Sequence, residues 1–252
     1  MGTEFADHPH PRPLPPHWKR TLTVAALSDL HIGSAYNDLD HLRDIVDRTN
    51  AAHPDLIVLL GDFAIGGAER IDLGGTYIPP SDYAPILAKF HAPLGVYAVL
   101  GNHDWWVDGV TIGSAIQAYG IPVLTNQAIR IGVGNQAFWL AGIGDMWTAH
   151  PDIAGTLAQT DPAEPVLLIT HNPDIFPEVP ERVSITLAGH THGGQVDFPF
   201  LGTPVTASRY GKGLIVEHGR HLFVSTGIGT SGLPIRFCVP PEVVLLHLVP
   251  RT

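Results

Sequence analysis

Five apolar runs in this chain end in the same kind of punctuation. TLTVAALS leads to Asp29-Leu30-His31, and DLIVLL leads to Gly61-Asp62. LGVYAVL leads to Gly101-Asn102-His103-Asp104, PVLLIT to His171-Asn172, and SITLA to Gly189-His190-Thr191-His192. Short continuous apolar runs bounded by turn residues read as strands buried on both faces. Open α/β sheets collect their ligands at the carboxyl ends of their strands. Five polar endings of this type therefore read as one site assembled from distant parts of the sequence.

Helical patterns separate these runs. Residues 38–52 carry Leu39, Leu42, Ile45 and Val46 on one face, which is helical spacing. Ser81 is placed to cap a helix running to about His91, since a serine hydroxyl can satisfy the first backbone N–H groups. Residues 111–119 read as a helix stopped by Gly120. A strand is expected at 137–141 and a short helix at 152–158. After His192 the pattern turns to strands near 214–217, 222–226 and 242–249, separated by Gly and Pro. The sum is an α/β (α+β) fold, two packed sheets with helices outside. No internal repeat or linker interrupts it, so residues 21–252 are expected to form a single domain. Residues 1–20 are rich in Pro and His and read as a flexible arm. The arm's histidines, His8, His10 and His17, read as solvated.

The chain has a formal net charge of -10 with only 14 Lys and Arg. A nucleic-acid polymer is therefore not expected as a partner, because phosphate backbones are bound by clustered cations. An anionic small substrate would need local positive charge, which bound metal ions can supply. The one cysteine, Cys238, rules out an intramolecular disulfide and is expected in the core as a small hydrophobe. No apolar run is long enough to cross a membrane, and the N-terminus lacks a signal-peptide core. The opening Met-Gly-Thr-Glu-Phe resembles a cloning scar. The expectation is a protein soluble as given whose native address is open, export or membrane association through a missing N-terminal segment being one alternative.

The strand ends carry a specific set of donors: Asp29, His31, Asp62, Asn102, His171, His190 and His192. A phosphoester resists hydrolysis because water is a weak nucleophile and the phosphoryl oxygens are already negative. Two metal ions about 3.5–4 Å apart address both problems. Seven ligands, with one carboxylate as the bridge, suffice to hold such a pair. Imidazole and carboxylate ligation without thiolate suits two divalent transition-metal ions, Mn foremost and Zn, Fe or Co as alternatives, rather than Mg alone. His103, beside a proposed ligand, is placed to protonate a leaving alkoxide. Asp104 is expected to orient the His103 ring.

Other signals lie along the same chain. Gly227, Gly229 and Gly232 form GxGxxG, but Pro234 follows where a nucleotide-binding helix would have to start; a turn lining the site is the better reading. Trp105, Trp106 and Trp147 lie in strand-end loops and could wall a cleft. Arg209, Lys212 and Arg236 are candidates for phosphate contact.

Taken in order, DLH, GD, GNHD, TH and GHTH resemble the motifs of the calcineurin-like metallophosphoesterases, over residues 29–192. The resemblance implies a two-sheet β-sandwich flanked by helices. It implies one metal on Asp29, His31 and His192, a second on Asn102, His171 and His190, Asp62 bridging, and His103 as general acid. GHTHGGQV, RYGKG, STGIGTSGLPIRF and PPEVVLLHL are similar to the YkuE-type bacterial phosphoesterases. The Ser/Thr protein phosphatases carry an Asp-Arg pair just after the Gly-Asp motif, where this chain has Phe63-Ala64-Ile65-Gly66-Gly67. The expected function is a binuclear phosphodiesterase using a metal-bridging hydroxide on a small-molecule or lipid phosphoester. A phosphomonoesterase is the runner-up. A non-catalytic binding module comes last, because every ligand type is in place.

Overall fold

The computed structural model describes residues 3–7, 14, 18, 21–65, 75–132, 136–200, 203 and 208–250. All five apolar runs contain strands. One sheet holds β1 (Glu4–Asp7), β2 (Leu22–Leu27), β3 (Leu56–Leu59), β4 (Val96–Ala98) and β11 (Glu242–Leu248), in the order β1-β11-β2-β3-β4. The other holds β5 (Gln127–Ile131), β6 (Phe138–Gly142), β7 (Val166–Ile169), β8 (Val183–Ala188), β9 (Gly213–Glu217) and β10 (Arg220–Val224), in the order β5-β6-β7-β8-β10-β9. Strands β2, β3 and β4 are parallel, as are β6, β7, β8 and β10. Their C-terminal ends therefore deliver loops to one end of each sheet.

Side-chain alternation sets the layers. Val24, Ala26 and Val58 meet Phe138, Leu140, Leu167, Ile169 and Leu187 between the two sheets. Ala25, Leu27, Ile57 and Leu59 face outward, onto α1 (Leu39–Ala51), α2 (Pro80–Leu87) and α3 (Asn102–Ala118). On the far side, Leu168, Leu222 and Val224 pack on α4 (Ile153–Leu157) and the 3₁₀ turn Pro173–Glu178. The result is the expected α/β sandwich with helices outside.

Local sequence explains most element boundaries. Asp38 caps α1, accepting from the N–H groups of Asp40 and His41 at 3.0 and 2.8 Å. Asp152 caps α4 by accepting from Gly155 N–H at 2.8 Å. Two helix starts differ from expectation. Pro80 opens α2, and Ser81 bonds Asp82 instead of capping; the fixed φ of proline suits the first helical position, and its missing N–H leaves one fewer orphan donor there. Helix α3 begins at Asn102 rather than near Thr111. A break at Asp108 divides it, and Asp108 accepts the Thr111 N–H at 3.0 Å. The stretch around residue 111 is thus only the second half, and the Gly101-Asn102-His103-Asp104 motif lies on a helical turn.

Residues 1–20 also depart from a simple arm. Glu4–Asp7 pairs in parallel with β11, Leu14 is buried beside Pro250, and Trp18 packs on Phe138 at 5.9 Å. Burial of these two apolar side chains docks the chain at positions 14 and 18. His8, His10 and His17 lie outside the described residues. Cys238, expected in the core, is exposed; it sits at φ 57° in a loop whose buried neighbours are Arg236 and Val239.

Candidate metal centre

The seven strand-end residues converge, and all are buried. The first sheet contributes Asp29 and His31 after β2, Asp62 after β3 and Asn102 after β4. The second contributes His171 after β7, and His190 and His192 after β8. Two sets of three have ligand atoms within 4.8 Å of one another: Asp29, His31 and His192, and Asp62, His171 and His190. Asp62 lies between them, its Oδ2 being 3.2 Å from His171 Nε2 and 3.7 Å from His31 Nε2.

Each donor is held on one side and open on the other. Asp29 Oδ2 accepts from the Ser28 hydroxyl at 2.5 Å and the His190 N–H at 3.0 Å. Asp62 Oδ1 accepts the His103 N–H at 2.9 Å. His31 and His171 donate Nδ1–H to the carbonyls of Ala64 and Leu60, at 3.1 and 2.8 Å. A carbonyl only accepts, so these contacts fix the tautomer and turn Nε2 toward the cluster. What remains is a buried surplus of acceptors. Asp29 Oδ1, Asn102 Oδ1 and His190 Nε2 have no hydrogen-bond partner. His31 Nε2 faces His192 Nε2 at 3.1 Å, and His171 Nε2 faces His190 Nδ1 at 3.2 Å. Ring nitrogens paired at these distances hold either a shared proton or a cation, and the unpartnered buried atoms beside them are costly unless a cation sits among them. This donor set fits a pair of divalent ions.

Electrostatics divide the four histidines. Burial lowers the pKa of His31 and of His190 to about 4, and lowers that of His192, where the Arg236 charge adds to the effect. These imidazoles are neutral and hold their lone pairs at neutral pH. For His171 burial acts downward, but the Asp62 charge and hydrogen bond outweigh it and raise the pKa to about 10, so with no cation beside it Nε2 carries a proton that a metal would displace.

Backbone conformation marks the same residues. Asp29, His31, Asp62, His190 and His192 all have φ between 40° and 73°. Left-handed conformations in non-glycine residues cost free energy and cluster at functional sites. Each sharp turn directs a side chain off its strand end. Two glycines permit the crowding. A Cβ on Gly101 would strike Asp62 Oδ1, and one on Gly229 would lie 2.5 Å from the Leu30 carbonyl oxygen. The Gly227-x-Gly229 segment thus lets a turn approach the Asp29–His31 backbone.

His103 stands in the cluster with its own close neighbours, His31 and Asp62, ligand atoms again within 4.8 Å. Its Nε2 is 3.4 Å from Ser231 Oγ. Asp104 has a different task from the one expected. Its carboxylate accepts four backbone N–H groups: Asp62 and Gly101 at 2.9 Å, Phe63 at 2.8 Å and Ala64 at 3.0 Å. Consecutive helical residues point in different directions, so Asp104 reaches back to the helix entrance and the Asp62 loop. Burial, then the Asp62 charge, push its pKa up to about 7, while N–H donors from Gly101 and Ala64 oppose the rise.

A cleft of about 330 Å³ opens over the cluster. Asp62, Asn102, His103, His190 and His192 line it with Trp147, Thr191, Gly194, Gln195 and Ser231. Trp147 sits edge-on to His190 at 4.5 Å, and Trp106 lies 5.1 Å from His103. Buried Asp145 holds the Trp147 loop through Trp147 N–H, Thr148 N–H and Thr148 Oγ1. The three cations considered for phosphate are engaged elsewhere. Arg209 pairs with Glu217 and Lys212 with Asp197, at 2.6 and 2.7 Å. Arg236 is buried on the carbonyls of Thr226 and Gly229 and reaches His192 Nδ1 at 3.3 Å. Sequence reasoning missed Ser28, Asp145, Gln195 and Ser231. Ser28 and Asp145 had a signal, being polar residues at strand ends; Gln195 and Ser231 lie in the GHTHGGQV and STGIGTSGLPIRF segments, where nothing marks them apart from their neighbours.

Comparison with known proteins agrees with this geometry. The profile of the family described as calcineurin-like phosphoesterase matches residues 22–194. The chain is 32% identical to the uncharacterized metallophosphoesterase YkuE of Bacillus subtilis, covering 97% of this chain and 85% of that one. It is 35% identical to phosphodiesterase YaeI of Escherichia coli, covering 90% and 82%. An uncharacterized metallophosphoesterase of Helicobacter pylori is 29% identical, covering 92% of this chain and 61% of the relative.

Proposed function

Because the chain belongs to the calcineurin-like phosphoesterase family, and is thus a metal-dependent phosphoester hydrolase, we propose that it prefers phosphodiesters to phosphomonoesters. The observation that carries this is the charge of the cleft. Among the described residues lining it, none is Lys or Arg, and the nearby Arg209, Lys212 and Arg236 are already committed. A diester has one negative charge at neutral pH, and a monoester carries close to two. A site without free cations favours the singly charged substrate. The relative named phosphodiesterase supports the same reading.

Asp29, His31 and His192 would hold one divalent ion, Asn102, His171 and His190 would hold the other, and Asp62 would serve both. Mn is the expected metal. When bound, such ions supply Lewis-acid polarisation of the phosphoryl oxygens and a lowered pKa for water. The chain's own groups do the rest. Ser28 and the His190 N–H orient Asp29, and the His103 N–H orients Asp62. The carbonyls of Ala64 and Leu60 hold the His31 and His171 rings. His103 faces the cleft and delivers a proton to the departing oxygen. Trp147 covers His190 and limits water on that side.

The test compares bis(4-nitrophenyl) phosphate with 4-nitrophenyl phosphate on Mn-loaded protein. A higher kcat/KM for the diester is expected. Preference for the monoester rejects the diesterase reading and leaves the phosphomonoesterase.

A further inference from the structure

Large apolar side chains are not scattered evenly over this surface. Among the described residues the exposed ones gather on segments that leave the C-terminal ends of strands; Val110, Tyr119 and Val216 are the exceptions. On one side of the cleft stand Trp106 and Trp147, with rings stacked at 6.1 Å. On the other stand Phe198, Leu233, Ile235 and Phe237, with Phe198 and Phe237 in ring contact at 5.7 Å. Gln195, a cleft residue, ties the second group in by bonding Ser231 and the Leu233 carbonyl. Packing does not account for these residues, since Trp147, Leu233 and Ile235 are each more than half exposed. Exposed apolar clusters gathered beside an opening mark an interaction site.

We propose that this rim seats the protein on an uncharged or zwitterionic lipid surface, from which the cleft draws a phosphodiester lipid headgroup. Three observations select this occupant. The rim is built from several separate loops around an opening, not from one groove or strand edge that a peptide would fill. Whatever covers the face also covers the entrance to the cleft, so the surface must itself present the phosphoester. The nearby cations are neutralised by Asp197 and Glu217, and the chain carries a net charge of -10, which disfavours an anionic surface. Indole and phenyl rings with aliphatic neighbours suit the boundary between water and acyl chains. The inference rests on the phosphodiesterase reading above. In the reaction, water oxygen bonds to phosphorus as one ester P–O bond breaks. The departing alcohol takes a proton, and the products are a phosphomonoester and an alcohol.

The experiment is flotation of the full chain with phosphatidylcholine vesicles, beside turnover of soluble bis(4-nitrophenyl) phosphate. Leu233→Ser with Ile235→Ser is the main variant, and Phe198→Ser is the second. Each lost apolar side chain is expected to weaken vesicle binding about tenfold, while soluble turnover stays within about twofold, well under the tenfold that 1.4 kcal/mol represents. Failure to bind the vesicles, binding unchanged in both variants, or binding that requires anionic lipid overturns the inference. So does light scattering that finds a dimer abolished by the same variants. Hydrolysis of the soluble diester without vesicle binding overturns the docking and leaves the activity standing. Vesicle binding lost in the variants, without hydrolysis of any diester, supports the docking and rejects the activity.

Discussion

Asp104 and Asp62 are locked together through the backbone. Asp104 Oδ2 accepts the Asp62 N–H at 2.9 Å, and Asp62 Oδ1 accepts the N–H of His103, the residue before Asp104, also at 2.9 Å. The helix entrance and the loop after β3 thereby fix each other, and the remaining Asp62 oxygen is aimed between His31 and His171. Replacing Asp104 by Asn puts an amide donor against N–H groups. The expected cost is about 1–3 kcal/mol of stability, with metal affinity reduced about 10–100-fold as Asp62 loses its support. Calorimetry and metal titration measure both. Unchanged metal affinity would show that the clamp is dispensable.

His103→Gln is expected to lower turnover of a diester with a poor leaving group by about 10²–10⁴-fold, with both metals still bound. A good leaving group needs less protonation, so the loss should shrink with 4-nitrophenol esters. If metal analysis instead shows one ion missing, His103 is a ligand rather than the proton donor.

Asp62→Asn removes the charge shared by both halves of the cluster. Both ions are expected to bind more weakly, read from stoichiometry after dialysis against a chelator. Selective loss of one ion would contradict the bridging position.

Gly101→Ala tests the crowding. The added methyl collides with Asp62 Oδ1, so the Asp62 side chain must shift. Metal affinity is expected to fall about 10–100-fold, with little change in the far-ultraviolet circular dichroism of the fold. Wild-type affinity would mean that the helix entrance yields freely.

His41 gives a pH signature away from the centre. Burial lowers its pKa below 6.5 in the folded protein, so the unfolded chain binds its proton first as pH falls. Its contribution is present above about pH 6.5 and is lost on acidification. Wild type should therefore lose more thermal stability than His41→Gln between pH 7.5 and pH 5, on the order of tenths of a kcal/mol for a half-exposed group. Parallel melting curves would remove His41 as a contributor.

Much of the fold and the convergence of the site were legible because strand ends are a periodic, local signal. LIVL followed by Gly61-Asp62 needs no tertiary information to be read as a strand and its exit. What escaped depended on tertiary contact. The first turn of α3 was hidden by Trp105, Trp106 and Gly109, which break helical periodicity, and Asp108 does interrupt the helix there. The Asp104 clamp was missed because its partners are backbone groups, which a sequence does not display. The engagement of Arg236 rests on carbonyls of a turn that is itself irregular. Cys238 was misplaced because buried and exposed residues alternate irregularly through 231–240.

The donors proposed for either ion come from both sheets: Asp29 and His31 with His192, and Asn102 with His171 and His190. A metal bound by these donors would be a cross-brace over the seam of the sandwich, and its affinity would gauge how the two halves are aligned. By linkage, thinning the inter-sheet packing at a distant position such as Leu167 should loosen the ions without touching a ligand. Loading the ions should, in turn, slow the parting of the sheets. Stability and reactivity in this chain would then be joined at that seam.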